Sequence, residues 1–127
     1  MCLYDRKFRI TLRRRKCYKV LSRNPWDPED IYHSPCQGTK VIIKTDETIL
    51  IPEDPSAKPY KVWWKKRYQF KEGFIYYFIN LKAAKEYSKY TVNSVIFEGY
   101  VPAFTRYAKE DDAECARKVI LTKKLCV

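Results

Sequence analysis

Apolar and polar positions alternate in several short runs and recur at helical spacing in only one. Lys16–Leu21, KCYKVL, reads as a first core strand, and Lys7–Leu12 alternates more weakly before it. Lys40–Lys44 (KVIIK) and Glu47–Ile51 (ETILI) are β-branched runs on either side of Thr45-Asp46, the pattern of a hairpin. Ser94–Val101 and Arg117–Thr122 read as two later strands, separated by a loop that includes the acidic cluster Glu110-Asp111-Asp112. Asn80–Tyr90 is the helix: Asn80 suits the N-cap, and Leu81, Ala84, Tyr87 and Tyr90 fall three apart on one stripe. The pattern predicts an α+β fold, a mostly antiparallel sheet with one main helix at about residues 80–90 packed on it.

The connections carry their own signals. In Asn24–Asp30, NPWDPED, Asp27 can cap a short helical turn that starts at Pro28. His33–Gly38 reads as an irregular connection, and Pro52, Pro55 and Pro59 mark an extended loop that cannot join a central strand. Arg13-Arg14-Arg15 is expected on an exposed turn or strand end, because three adjacent guanidiniums cannot all be buried unpaired.

Lys61–Phe78, KVWWKKRYQFKEGFIYYF, interleaves eight aromatic residues with Lys and Arg. As a strand over 61–71 its even positions are Val62, Trp64, Lys66, Tyr68 and Phe70, and its odd positions Lys61, Trp63, Lys65, Arg67, Gln69 and Lys71. The two sets point to opposite faces, one a core face and the other a basic strip interrupted by one indole. Glu72-Gly73 supplies a turn, and Phe74–Ile79 returns as a second strand.

With 127 residues, of which 46% are apolar, the chain is sized for one domain over 1–127 with a real core. No signal-peptide run opens it and no stretch approaches eighteen apolar residues, so neither secretion by that route nor membrane spanning is expected. The net charge of +11 is uneven. Nine basic residues face one acid in 1–23, two face seven in 24–57, and nine face two in 58–89. Such polarity attracts a polyanion or an acidic protein.

Five scattered cysteines with no close pair, and one histidine, argue against a zinc site or a disulfide framework and for a reducing cytoplasm. There is no glycine-rich phosphate loop, nucleophile elbow, HExxH or CxxC, and no cofactor is expected. His33 and Cys36, three apart in a loop, are the one pair that can lower a thiol pKa, without an identifiable orienting carboxylate.

Met1–Tyr4, CYKVL at 17–21, SPCQG at 34–38, GFIYYFINLKAAKEY at 73–87 and VIFEGYVPAFTRY at 95–107 occur in an order that resembles a family of small phage and prophage proteins of the gut Bacteroidales type. Where that family carries an aromatic residue after Ser-Pro, this sequence has Cys36. The resemblance implies a bacterial host cytoplasm and action by binding and blocking host or anti-phage defence machinery. A fainter similarity is to ADP-ribosyltransferase-like, NAD-using folds, carried by His33, Gly38-Thr39 and Gly73–Phe78 followed by Ala84 and Tyr87. The catalytic glutamate that such enzymes place on a late strand has no matching motif here; Glu98 is the only acid inside a late predicted strand, and its neighbours differ from the motif.

The expected function is therefore non-enzymatic: a basic accessory protein that binds and inhibits or modulates a host or defence factor. The alternatives are nucleic-acid binding through a basic and aromatic sheet face, and a degenerate or active NAD-binding transferase. The residues expected to meet an acidic protein or a nucleic acid are Arg13, Arg14, Arg15, Lys61, Trp63, Lys65, Arg67 and Lys71. An indole among cations can stack on a base while its neighbours take phosphates, or anchor a protein partner.

Overall fold

The computed structural model describes residues 3–5, 9–35, 40–44, 46–52, 54, 56–64, 66–70 and 73–125. In chain order the elements are β1 (Leu3–Asp5), β2 (Arg9–Ile10), β3 (Arg15–Ser22), β4 (Ile31–His33), β5 (Lys40–Ile42), β6 (Thr48–Leu50), β7 (Tyr60–Val62), β8 (Arg67–Phe70), β9 (Ile75–Phe78), α1 (Leu81–Ser88), β10 (Ser94–Val101), β11 (Arg106–Glu110), β12 (Ala113–Ala116) and β13 (Val119–Leu125). The large sheet runs β2-β11-β12-β9-β3-β10-β13-β6, with β4 added to β3 and β5 to β4, and a small sheet runs β1-β8-β7. The described pairings are antiparallel. The chain is thus a mostly antiparallel sheet with one short helix, and the sheet dominates.

Alternation along β3 explains the layering. Cys17 and Leu21 enter an inner cluster with Tyr32, Val41, Leu50, Tyr77, Phe97, Val101 and Leu121. Because that cluster joins β5 and β6 with the middle of the sheet, the sheet curls around it. Val20 points the other way and packs with Ala84 of α1 and Ile96. Farther along the outer face, Leu3, Phe70 and Phe74 cover Tyr76, Ala108 and Cys115, so the small sheet and the helix share that face. Each large side chain fully buried in these clusters contributes roughly 1.5–3 kcal/mol.

The helix begins as its sequence signals. Asn80 has an extended backbone and its side chain accepts from the Lys82 amide at 2.8 Å, while Ala84 is buried on the sheet. Tyr90, however, lies beyond the helix and is exposed, so the stripe ends at Tyr87.

Several expectations are corrected. Residues 61–71 are not one strand: β7 and β8 form a hairpin, Val62 opposite Arg67, around a turn that includes Trp63, Trp64 and Lys66, the last with φ of 52°. Val62 and Phe70 are both buried but not on one face: with Val62 opposite Arg67 and Lys61 opposite Tyr68, Phe70 lies on the side away from Val62, and Trp64, assigned to the core face, lies on the turn and in solvent. The runs around Thr45-Asp46 do form β5 and β6, yet they do not pair with each other; β5 pairs with β4 and β6 with β13. The region read as a loop around Glu110-Asp112 is the hairpin β11–β12, turning at Asp111, which has φ of 54°. Asp27 caps no helix. Its amide closes a turn onto the Asn24 carbonyl, and its carboxylate meets His33 Nε2 at 3.1 Å.

Candidate functional site

The free edge of the large sheet carries an unusual loop. Phe104 has φ of 60°, a left-handed backbone that a bulky residue rarely adopts, and its ring is 79% exposed. Buried Thr11 holds it there. The Phe104 amide donates to the Thr11 carbonyl at 2.7 Å, the Thr105 amide to Thr11 Oγ1 at 2.9 Å, and Thr11 Oγ1 to the Pro102 carbonyl at 2.7 Å. The Thr11 amide donates in turn to the Thr105 carbonyl at 3.0 Å. Next to this lock Leu12 is 82% exposed, and Ile10 on β2 is exposed as well. Arg13, Arg14 and Arg106 are exposed around them, with the Arg14 guanidinium over the Tyr100 ring at 4.9 Å. The result is an apolar tip presented on a fixed backbone within a cationic surround.

A second exposed cluster sits on the β7–β8 turn. Trp63 is 75% and Trp64 69% exposed, with ring centroids 5.7 Å apart at 88°, and Tyr60 and Lys61 precede them in solvent. Lys66 is exposed beside them. Arg67 approaches Glu110 at 4.0 Å, and Glu110 leads into the exposed Asp111-Asp112 turn. The two clusters lie toward opposite ends of β11: Arg106 pairs with Ile10 at one end, and Glu110 meets Arg67 at the other. Four residues of strand separate those contacts by about 13 Å.

Arg15 belongs to neither cluster, which corrects its placement in an exposed arginine run. It starts β3, packs over the Tyr107 ring at 5.1 Å and donates to the fully buried Glu114 at 2.7 Å. Tyr77 Oη donates to the same carboxylate at 3.0 Å. Burial acts to lower the Arg15 pKa, but the hydrogen bond and charge of Glu114 outweigh it and raise the value. Burial, with Glu114 beside it, pushes the Tyr77 phenol far up. Arg15 and Tyr77 are thus engaged in holding the Glu114 side chain.

Of the eight expected contact residues, then, Arg13 and Arg14 lie on the sheet edge, Lys61, Trp63 and Arg67 at the hairpin, and Arg15 is half-buried against Glu114. Lys65 and Lys71 lie outside the described residues, as do Cys36 and Gly38-Thr39. His33 Nε2 is within hydrogen-bond distance of the Asp27 carboxylate at 3.1 Å, and Glu98 is engaged by Lys16 at 2.9 Å. Burial raises the Cys17 thiol to about 12 and the Cys115 thiol still further, so neither is a nucleophile at neutral pH. Among the described residues no group of three His, Cys, Asp or Glu side chains is placed to hold a metal ion, and no helix is long and apolar enough to cross a membrane.

The sequence reading missed Leu12, Phe104 and Trp64. Phe104 has no local signal, since nothing in PAFTR marks a left-handed residue. Leu12 stands next to the arginine run and in sequence ends only a weak alternation. No protein-family model, curated protein or solved structure matches the chain significantly.

Proposed function

We propose that this protein acts by binding, without chemistry of its own, and that the edge built from Leu12, Arg13, Arg14 and Phe104 docks an acidic protein partner. The observation that carries this reading is Phe104, held rigid in a left-handed backbone with its ring in water. Strain maintained by four hydrogen bonds to present an apolar ring costs stability and is offset by a contact that uses the ring. Flanking arginines favour carboxylates on the partner, while Leu12 and Ile10 need an apolar recess, which a protein supplies and a phosphate backbone does not. The resemblance to phage and prophage proteins suggests a host or anti-phage defence factor in the bacterial cytoplasm, occluded by this edge.

The test is affinity capture from bacterial lysate with the wild-type chain and a Leu12→Ala/Phe104→Ala variant of matched melting temperature. The reading expects an acidic protein retained by the wild type, released by salt and lost from the variant. An identical retained set from both chains would overturn it.

A second reading, single-stranded nucleic acid on the hairpin, is favoured by the exposed Tyr60, Trp63 and Trp64 beside Lys61 and Lys66. The carboxylates of Glu110, Asp111 and Asp112 nearby weigh against it, because they repel phosphates. If three phosphates are contacted, oligonucleotide affinity should fall roughly twentyfold between 50 and 200 mM salt. Absence of saturable oligonucleotide binding at low salt would dismiss it.

A further inference from the structure

A cavity of about 320 Å³ opens between the loop before β4, the connection from β5 to β6 and the end of β13. Its floor is the inner core itself. Tyr32 and Phe97 meet there edge to face, centroids 5.2 Å apart, beside Leu121. Its lining carries both signs, the acids Glu29, Asp30 and Asp46 and the lysines Lys44, Lys123 and Lys124.

The lysine on β13 is aimed by a backbone irregularity. The β10–β13 register shifts between Glu98 and Gly99, so Gly99 faces Leu121 but Phe97 faces Lys124. Leu121 is in the inner cluster and Leu125, four residues on, packs in the outer one, which uninterrupted alternation forbids. The bulge therefore turns Lys124 to the side of Phe97, over the cavity floor. Among the described residues no ion pair joins these lysines to these aspartates, so both signs face the opening uncompensated by each other.

We infer that this cavity is a binding site for a small zwitterion with a large apolar body, a free α-amino acid with an aromatic or long aliphatic side chain. The side chain covers the Tyr32–Phe97 floor, the carboxylate meets Lys124 and Lys44, and the ammonium meets Asp30 and Asp46. The volume suits such a ligand, and an aromatic floor combined with charged side chains that fix orientation is a make-up found in small-molecule sites. A ligand with one charge leaves the lining's charges of its own sign unmatched, which sets the specificity. The site is independent of the Phe104 edge and stands or falls separately from it.

Calorimetric titration of the full chain with L-phenylalanine, phenethylamine, 3-phenylpropanoate and glycine tests it. Saturable binding of phenylalanine is expected, with each single-charge analogue about tenfold weaker or worse and glycine silent. Lys124→Ala, at an exposed position, should weaken phenylalanine about tenfold with an unchanged melting temperature and leave phenethylamine unaffected. No saturation up to about 10 mM phenylalanine, equal binding of the two analogues and the amino acid, or an indifferent Lys124→Ala variant would each overturn the assignment.

Discussion

Arg15 Nη2 lies 2.7 Å from the Glu114 carboxylate, an ion pair between residues on β3 and β12 whose acidic member is fully buried. Tyr77 completes the carboxylate's partners from β9, the strand between them. Three strands of the curled sheet are thereby fastened through one buried charge.

Removing the cation should be worse than removing the pair. Arg15→Met leaves a buried carboxylate with only a phenol and should cost about 3 kcal/mol, whereas Arg15→Met/Glu114→Gln should recover part of that loss. Urea denaturation with an unchanged m-value checks it. Equal stability of the single variant and the wild type would show that the carboxylate is not buried as described.

Alkaline pH should unfold the protein through its thiols. The Cys17 pKa is raised from 9.0 to about 12 by burial, so between those values the unfolded state has released a proton that the folded state retains. Stability is then fully present below pH 9 and falls as pH rises toward about 12, by about 1.4 kcal/mol per pH unit for such a group. Cys115, raised in the same direction, adds to the slope. Thermal melts across this range should show the decline, flattened in a Cys17→Ala/Cys115→Ala variant.

The hairpin assignment separates residues that one continuous strand would treat alike. Trp64→Ala and Trp63→Ala, both in solvent, should each change stability by no more than about 0.5 kcal/mol. Phe70→Ala, at a fully buried ring, should cost about 3–5 kcal/mol. A large loss from Trp64→Ala would return that indole to the core.

Gly99 sets the bulge that turns Lys124 inward. A Cβ there would lie 2.1 Å from the Ile120 carbonyl oxygen, a backbone atom that cannot swing away. Gly99→Ala should therefore destabilise the chain by about 1–3 kcal/mol in chemical denaturation, by forcing β10 and β13 apart. It should also weaken any ligand of the 320 Å³ cavity.

What the sequence made legible was local. The alternation of KCYKVL, the run SVIFEGYV and the cap at Asn80 each depend on neighbours a few residues away, and the structure has β3, β10 and α1 there. The 61–71 segment misled for a physical reason. The period of two continues within β7 and within β8 although their pairing exchanges the even and odd faces between them, and Lys66 takes the left-handed conformation without the glycine that usually announces it. Asp111-Asp112 is, in retrospect, a readable turn between alternating YAKE and AECA, since Asp tolerates positive φ.

The sequence by itself determined a mostly antiparallel sheet, one capped helix and a polarised cationic surface, because period and net charge are written in consecutive residues. Only the tertiary structure decided that Arg15 turns inward while Arg13 and Arg14 stay outside, that Phe104 is displayed, and that Lys124 faces the core. Whether a charge is buried, or a ring is left in water, depends on the partners that distant strands bring to it, and no local pattern encodes a neighbour ninety-nine residues away.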